Sequence, residues 1–441
     1  MDKKIVIGLF LLALVLRWQF SFLEAHGDLI TQTNWGRMAD KMTMMKGFYE
    51  WKEWNGAYPN HPPLVSEIYY LLYPTHRNTM WFLSNLGNFI AIHRLAPTKF
   101  MWLYNFSIWY GTKLYGSSDV LFGVVWLLKM LMIGADLAIG GLILYLAKRA
   151  KANWMMFLGI YLFLPYSWYL SASWGQSDQL SFIFLGVAMV LVANKKWAVF
   201  SPVLYAIAAN LKPNCILILP IYLAWWWIQK QGMKKLIWGG IGALVFSLWT
   251  ITWVTDRNLI PFIFEVLLKK LNTSDGLINY NAFNFWYIFF PFAPRTSYLD
   301  SMSILGINVK VIGFFGATVS TIWGIKTMNK KMGKMWAAMF VAGFGSWLFL
   351  TGMHERYSFL AITPLLLASI ENRRLLKYFL ILSTIFTFNM FIAHWPWDKI
   401  GWMLPMMAAN NFLFGRIMSG LNVIVFGLAG KTIGEWDKDK V

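Results

Sequence analysis

The stretch MWAAMFVAGFGSWLFLTGMHERYSFLAITPLLLASI covers residues 335–370 and decides the fold. Two apolar runs, 335–350 and 358–370, flank a short polar insert that holds His354, Glu355 and Arg356. Apolar runs that follow one another so closely are typical of membrane helices. Ionisable side chains at such a boundary are costly unless they have a function or a partner. The insert is therefore both a predicted helix boundary and a candidate site.

The rest of the chain repeats this pattern and predicts an integral membrane protein. Of the 441 residues 58% are hydrophobic and 13% are charged, whereas soluble domains carry about 25% charged residues. We expect one all-α, polytopic transmembrane domain over residues 1–441, with no separate soluble domain. About twelve transmembrane helices are predicted, at 5–23, 119–147, 153–171, 178–194, 197–211, 214–229, 236–254, 304–326, 334–352, 357–370, 377–394 and 405–430.

The distribution of charge predicts the orientation in the cell membrane. The formal net charge is +19, and the lysines and arginines fall mainly in short loops between apolar runs, on one predicted side. By the positive-inside rule that side is cytoplasmic, and both termini lie on it. Because the basic residues are spread over loops, nucleic acid is not an expected partner. The single cysteine excludes an intramolecular disulfide bond.

The segment 24–118 is the first predicted extracytoplasmic loop, and its apolar and aromatic spacing predicts helices lying in the membrane interface. Asp28 follows the first span closely, so its carboxylate can face a cavity and accept a proton from a hydroxyl. A helix-capping aspartate is the alternative. Pro62 and Pro63 predict a rigid helix start. His61, just before them, is either a site residue or simply interfacial.

Other polar residues fall at the predicted outer ends of spans. Gln176 and Asp178 lie where a span begins, and Asp178 either caps the helix or binds sugar hydroxyls. Lys212 either extends to the interface or pairs with a phosphate. Lys129 and Asp136 are seven residues apart within one span, hence on one helical face. They are either functional or part of bridges to other helices.

Two short motifs complete the candidate site. Asn281, Asn284 and Trp286 lie in NYNAFNFW, where amides can bind hydroxyls and an indole can stack on a sugar; a polar turn beside an aromatic belt is the alternative. In the opening insert, Arg356 and His354 suit a phosphate anchored in the membrane, with Glu355 orienting them. A simple Glu355–Arg356 ion pair is the alternative.

Taken in order, these motifs resemble the GT-C superfamily of membrane glycosyltransferases. The match runs through GDL after the first span, the paired prolines, K and AD in the second span, WGQSD, KPNCILILP, NAFNFW and MHERY. The chain is most similar to the mannosyltransferase-like branch related to the protein O-mannosyltransferases. Members of that branch often carry an acidic residue just before the paired prolines, where this chain has Asn60 and His61.

The resemblance implies a GT-C fold with an extracytoplasmic active site. It implies transfer of a hexose, mannose first among them, from a polyprenyl-phosphate donor to an acceptor hydroxyl, with inversion. Asp28 is then the catalytic base, and Lys212, His354 and Arg356 hold the donor phosphate. Asp178 and Gln176 shape the sugar pocket. No cofactor or divalent metal is expected, and the acceptor, whether protein, glycan or lipid, is open.

Two other classes of function fit the same sequence. A transporter or flippase of a lipid-linked sugar or anionic solute would use the same cations along its substrate path. Transporters often show paired halves, which this sequence does not display. A non-catalytic subunit of an envelope assembly is the third possibility.

Overall fold

The computed structural model describes residues 3–21, 27–41, 45–51, 59, 61–72, 120–271, 276–291, 298–393 and 411–436. These residues are mostly helical, as the sequence predicts. The helices of the first half are α1 Lys3–Ser21, α2 Gly27–Lys41, α3 63–72, α4 Val120–Arg149, α5 Trp154–Phe163, α6 Pro165–Trp168, α7 Asp178–Val192, α8 Ser201–Leu211 and α9 Leu219–Ile228. A π-helical turn, Tyr169–Trp174, continues α6.

The second half continues with α10 Met233–Val254, α11 Leu259–Pro261, α12 Leu268–Leu271, α13 Val309–Thr327, α14 Met332–Phe349, α15 Phe359–Ser369, α16 Leu376–Ala393 and α17 Asn411–Glu435. A further π-helical turn, Phe262–Leu267, joins α11 to α12. Short 3-10 turns lie at Ala198–Phe200, Pro213–Ile218, Phe285–Ile288, Glu355–Ser358 and Arg373–Leu375. Strands β1 Asn279–Tyr280 and β4 Met353–His354 pair in parallel, and β2 Ser303–Ile304 pairs with β3 Ile307–Asn308 in a hairpin.

Several helices are long and apolar enough to cross a membrane, but the predicted twelve spans are not confirmed. In the described ranges five helical segments meet both criteria, and a bent pair brings the number to six. The five are Lys3–Ser21, Val125–Arg149, Met233–Val254, Arg373–Ala393 and Leu413–Glu435. Pro165 explains the bent pair, because the chain turns by 49° between α5 and the segment Pro165–Trp174.

Other predicted spans are shorter or begin later than expected. The predicted span 357–370 contains α15, which has 11 residues, about 16 Å of helix and well short of a bilayer core. The predicted span 304–326 opens as a β-hairpin, and its helix starts only at Val309. The apolar segment 283–293 contains one 3-10 turn among its described residues.

The two helices that flank the opening insert form the centre of the molecule. Fifteen of the 18 residues of α14 are buried, and so are all 11 residues of α15. A helix that is apolar and buried on every side belongs to the core of a larger helical body. The insert 351–357 therefore lies between two core helices, which explains why its Glu355 and Arg356 side chains are also buried.

The apolar outer surface lies on other helices. On α10 the exposed large side chains are Met233, Ile237, Trp238, Ile241, Leu244, Val245, Trp249 and Trp253. Helix α13 exposes Val311, Phe314, Phe315, Val319 and Ile322 in the same helical spacing. Such continuous apolar faces are unusual on soluble monomers and fit contact with lipid.

Candidate active site at the ends of the helices

The insert is held in place by a short parallel strand pair. In the β1–β4 ladder Asn279 lies opposite Met353 and Tyr280 lies opposite His354. The Trp347 indole nitrogen donates a hydrogen bond to the carbonyl of His354, at 2.9 Å. The chain then turns through Glu355–Ser358 into α15. These contacts bring Glu355 and Arg356 inward, with 4% and 6% of their surfaces exposed.

Lys212 and Asp178 form a buried ion pair in this region. Lys212 lies at the end of α8 and Asp178 is the first residue of α7, and their Nζ and Oδ1 atoms are 2.5 Å apart. Burial lowers the pKa of Lys212, while the neighbouring Asp178 carboxylate raises it. The capping alternative for Asp178 is not realised, because the N-cap position is occupied by Ser177. The carboxylate instead forms the ion pair with Lys212.

Arg356 lies beside this pair, between two aromatic rings. Its guanidinium carbon is 5.8 Å from the centre of the Trp174 ring and 5.4 Å from that of Tyr357. Lys212 Nζ lies 5.0 Å from the same Tyr357 ring. Arg356 also donates a hydrogen bond to Glu355 Oε1 at 3.1 Å. Lys212 and Arg356 therefore contact the same tyrosine ring, and each is paired with a carboxylate. This geometry fits both a phosphate site and a simple Glu355–Arg356 ion pair.

His354 lies at the edge of the group. Its ring stacks on Tyr280 at 4.7 Å and contacts Tyr357 at 5.0 Å. The Nδ1 atom is 3.9 Å from Glu355 Oε2, and the side chain is 31% exposed. This histidine is the member of the cluster that reaches toward the surface.

Some polar atoms of the cluster have no hydrogen-bond partner among the described residues. They include the amide nitrogen of Gln176 and Oδ2 of Asp178, although these residues are 3% and 0% exposed. A buried polar atom left in this way costs free energy comparable to a lost hydrogen bond. Functional sites are where proteins tolerate such a cost. The cluster thus has spare hydrogen-bonding capacity next to two cations.

The start of the first predicted loop also reaches this cluster. Gly175 adopts φ +73°, and a β-carbon there would lie 2.6 Å from Leu29 Cδ2 and 3.0 Å from Lys129 Cγ. Leu29 also shares an apolar cluster with Leu211, the residue before Lys212. Helix α2 therefore begins beside the ion pair. Asp28 is in its first turn, but its side chain lies outside the described residues, so its role as base stays a prediction.

The expected helices of segment 24–118 are confirmed in part, by α2 and by α3, which starts at Pro63 as its paired prolines predict. His61 lies between them. Gln32 Nε2 and His61 Nε2 are 3.2 Å apart, and Tyr69 donates to the other end of the Gln32 amide. His61 Nε2 therefore accepts the hydrogen bond, which places its ring proton on Nδ1. His61 thereby joins the start of α3 to α2.

The NYNAFNFW motif forms a support, and two of its residues do not line an open pocket. Asn284 is fully buried; it accepts hydrogen bonds from three nitrogens and donates to the carbonyl of Trp347 at 3.3 Å. Trp286 is 1% exposed, and its indole donates to the carbonyl of Phe349. The expectation of pocket walls therefore needs correction for this pair, because core packing covers the indole. Asn281, half-buried at φ +60°, bridges to His354 and is the member nearest the insert.

Asp136 and Lys129 are not paired with each other in the structure. Arg17 on α1 takes Asp136 instead, with Nε and Oδ2 2.7 Å apart, and Ser171 Oγ donates to the same oxygen at 2.7 Å. Lys129 donates to the carbonyl of Ser21 at 3.2 Å. Asp136 therefore forms an ion pair with a different helix, which was the structural alternative predicted from the sequence. Sequence reasoning missed Arg17, whose signal was a lone arginine inside an apolar run.

Two aromatic residues of the site were also missed. Trp174 is the first residue of the WGQSD motif and Tyr357 is the last residue of the MHERY motif, yet neither was assigned a role. Their abundance in interfacial belts hid them, since the chain has 26 tryptophans and 19 tyrosines. The available signal was their position close to the polar residues Gln176 and Arg356.

Comparisons with known proteins add no family assignment. No protein-family model matches the chain, and no curated protein matches its sequence. Within the described residues no three histidine, cysteine, aspartate or glutamate side chains are grouped as a metal site would need. The expectations about cofactors and partners therefore stay predictions.

Proposed function

We propose that the protein is a GT-C-type membrane glycosyltransferase with about twelve spans and both termini in the cytoplasm. It transfers a hexose, mannose first among the candidates, from a polyprenyl-phosphate donor to an acceptor hydroxyl on the extracytoplasmic face. One observation carries the proposal: buried Asp178 and Gln176 atoms lack hydrogen-bond partners in the described structure, beside Lys212 and Arg356. A polar ligand that carries both hydroxyls and a phosphate would satisfy them.

The cations retain donors for a phosphate although each has a carboxylate. An ammonium group has three N–H bonds and a guanidinium has five; the described ion pairs with Asp178 and Glu355 join one nitrogen of each cation to one carboxylate oxygen. In a buried site such charge-assisted hydrogen bonds are strong. Arg356 and Lys212 would therefore bind the donor phosphate while the carboxylates fix their positions. His354 would add a third contact at the exposed edge.

The reaction is a single displacement at the sugar's C1. The acceptor oxygen forms a bond to C1 as the bond from C1 to the phosphate oxygen breaks, which inverts the anomeric centre. The acceptor's proton passes to the Asp28 carboxylate. The leaving polyprenyl phosphate keeps the bonding electrons, and its charge grows next to Arg356 and Lys212. Because lipid anchors the donor, orientation supplies a large part of the rate enhancement.

Reconstitution with a radiolabelled donor tests this function. Purified protein in liposomes receives polyprenyl-phosphate-mannose, and an envelope extract supplies acceptors. We expect label to move to an acceptor with release of polyprenyl phosphate. Asp28→Asn should abolish transfer while the donor still binds, and Glu265→Gln, which neutralises an exposed carboxylate in the turn Phe262–Leu267, should transfer normally. Full activity of Asp28→Asn would remove Asp28 from the role of base.

The same assay separates the other classes of function. A transporter or flippase would move the intact donor between leaflets with no cleavage of the sugar. A non-catalytic subunit would do neither. Either result would overturn the proposed transfer.

A further inference from the structure

A second polar region lies under the segment 45–51, away from the ion pairs. This segment is pinned to the end of α10, since Gly47 N donates to the carbonyl of Val254 at 3.0 Å and Lys46 Nζ to that of Thr255 at 3.2 Å. On its other side Tyr49 and Ser66 are hydrogen-bonded at 3.3 Å. The segment thus bridges α3 and α10.

A cavity of about 310 Å³ lies at this bridge, lined by Met45, Lys46, Tyr70, Thr252 and Trp253. This volume is at the lower end of ordinary ligand sites. Two aromatic side chains contribute to its wall, and Trp253 is 40% exposed. Lys46 is held by Asp256, with Nζ and Oδ1 2.5 Å apart, so the cavity carries little net charge. A neutral ligand with one apolar face suits it better than an anion.

Glu67 lies one helical turn before Tyr70 on α3 and is 5% exposed. Its Oε1 atom has no hydrogen-bond partner in the described part of the chain. The nearby Tyr49 hydroxyl donates instead to the carbonyl of His61, at 2.7 Å. Burial raises the pKa of Glu67 to about 8, so the carboxyl is mostly protonated at neutral pH. A protonated carboxyl can both donate and accept a hydrogen bond.

Helix geometry relates Glu67 to the cavity. Residues three apart on a helix are surface neighbours, so Glu67 and Tyr70 lie on one side of α3. That side contacts the segment 45–51, as the bond from Tyr49 to Ser66 and the Tyr70 position in the cavity wall show. The partnerless carboxyl oxygen and the aromatic cavity are therefore adjacent features of one surface.

We infer that the cavity at Tyr70 and Trp253, together with Glu67, is a subsite for a neutral pyranose ring. The indole and phenol faces would cover the apolar face of the sugar, and the Glu67 carboxyl would hydrogen-bond one ring hydroxyl. Identification of this sugar as part of the acceptor rests on the proposed function. The binding itself does not.

Direct binding of methyl α-D-mannopyranoside tests the subsite. The full chain is placed in lipid nanodiscs without glycoside detergents, and saturation-transfer difference NMR measures contact with the probe. We expect a signal for the wild type that falls about fivefold in Trp253→Ala, the value of one lost ring contact or hydrogen bond. Glu67→Met should weaken binding similarly, and Glu67→Gln, which keeps a donor and an acceptor, should retain it.

Matched controls fix the interpretation. Trp238→Ala removes another exposed indole from α10, outside the cavity wall, and its signal should equal that of the wild type. Absence of probe binding to the wild type, or equal signals from the Trp253 and Trp238 variants, would overturn the subsite. Trp253 lies at the surface, so its variant reports on binding even where a Glu67 variant misfolds.

Transfer assays separate this inference from the proposed function. Probe binding that depends on Trp253 with no sugar transfer would leave the subsite standing and remove the glycosyltransferase. Normal transfer without probe binding would do the reverse.

Discussion

Two buried charged groups in this protein differ in how fully their hydrogen bonds are met. The first is the Arg17–Asp136 network, where the guanidinium also donates to the carbonyls of Ala13 and Leu162, at 3.3 and 2.9 Å. Asp136 in turn accepts from Arg17, Ser171 and the Tyr161 hydroxyl. The second is the cluster of Lys212, Asp178, Gln176 and Arg356, where a carboxylate oxygen and an amide nitrogen have no described partner.

The difference teaches how to separate structure from function among buried charges. Burial and ion pairing occur in both groups, so neither identifies a binding site. The two groups differ in how many of their buried polar atoms are hydrogen-bonded. A buried polar atom without a hydrogen-bond partner destabilises the fold, so its presence calls for an explanation other than stability. The saturated network ties α1 to α4 and to the π-helical turn that presents Trp174. The unsaturated cluster is where a ligand would complete the contacts.

The largest effect is expected in the saturated network. Arg17→Met should lower the free energy of unfolding by about 3–5 kcal/mol, since it leaves the Asp136 carboxylate buried without its cation. Unfolding of the purified protein by SDS measures this loss. Arg149→Met, at an exposed position, is the control and should change little. The double variant Arg17→Met with Asp136→Leu should recover most of the stability; no recovery, or a loss below about 1 kcal/mol, would contradict the structural role.

Glu67 extends the comparison to a buried carboxyl without a cation. Its pKa is raised from 4.5 in the unfolded chain to about 8 in the fold. The contribution to stability is therefore complete below about pH 4.5 and is lost as the pH rises through about 8. Linkage predicts a fall of roughly 2 kcal/mol between about pH 6 and pH 8. Denaturant unfolding at a series of pH values measures it. Glu67→Gln should flatten the curve, and a wild-type curve that is already flat would disprove the prediction.

A substitution that changes the shape of the Arg356 cation but not its charge tests whether the cluster binds a phosphate. Arg356→Lys keeps the cation but loses the planar fork that grips a phosphate. We expect donor affinity to fall about tenfold, which corresponds to about 1.4 kcal/mol, with a smaller change in stability. Titration of nanodisc-held protein with labelled donor measures the affinity. Arg374→Lys, exposed on the predicted cytoplasmic side, is the control. Equal affinities for wild type and Arg356→Lys would remove Arg356 from the phosphate site.

The smallest expected effect is an unchanged or slightly higher free energy of unfolding. Gln176→Leu replaces a buried amide that lacks a partner for its nitrogen with an apolar side chain of similar size. We expect the free energy of unfolding to stay the same or rise by up to about 1 kcal/mol, while donor affinity falls. SDS unfolding and the donor titration on one preparation measure both. A clear loss of stability would place Gln176 with the saturated network instead.

Much of the fold was predictable because apolar runs report burial directly. The helices on either side of the opening insert, the helix start at Pro63 and the described helices α2 and α3 of the segment 24–118 follow from such patterns. Span number was less predictable, because a proline bend or a 3-10 turn divides a run without changing its hydropathy. The bend at Pro165 and the turn Pro213–Ile218 are such cases.

The candidate site was predictable by position but not by pairing. The sequence places Lys212, Asp178 and Arg356 near helix ends, yet nothing in it states that the first two meet at 2.5 Å. Likewise Asn284 and Trp286 have the residue types of a sugar pocket, and only tertiary packing shows that their polar atoms are used internally. A sequence pattern predicts where on a helix or strand a residue lies, but it does not predict which residue its side chain contacts.

Native mass spectrometry of donor binding tests the central claim most directly. The claim is that the unsaturated cluster binds a polyprenyl-phosphate sugar, and the measurement compares wild type, Arg356→Gln and Arg149→Gln with polyprenyl-phosphate-mannose in nanodiscs. We predict a one-to-one complex for the wild type and for Arg149→Gln, and its loss in Arg356→Gln. The same complex in all three proteins, or in none of them, would contradict the account.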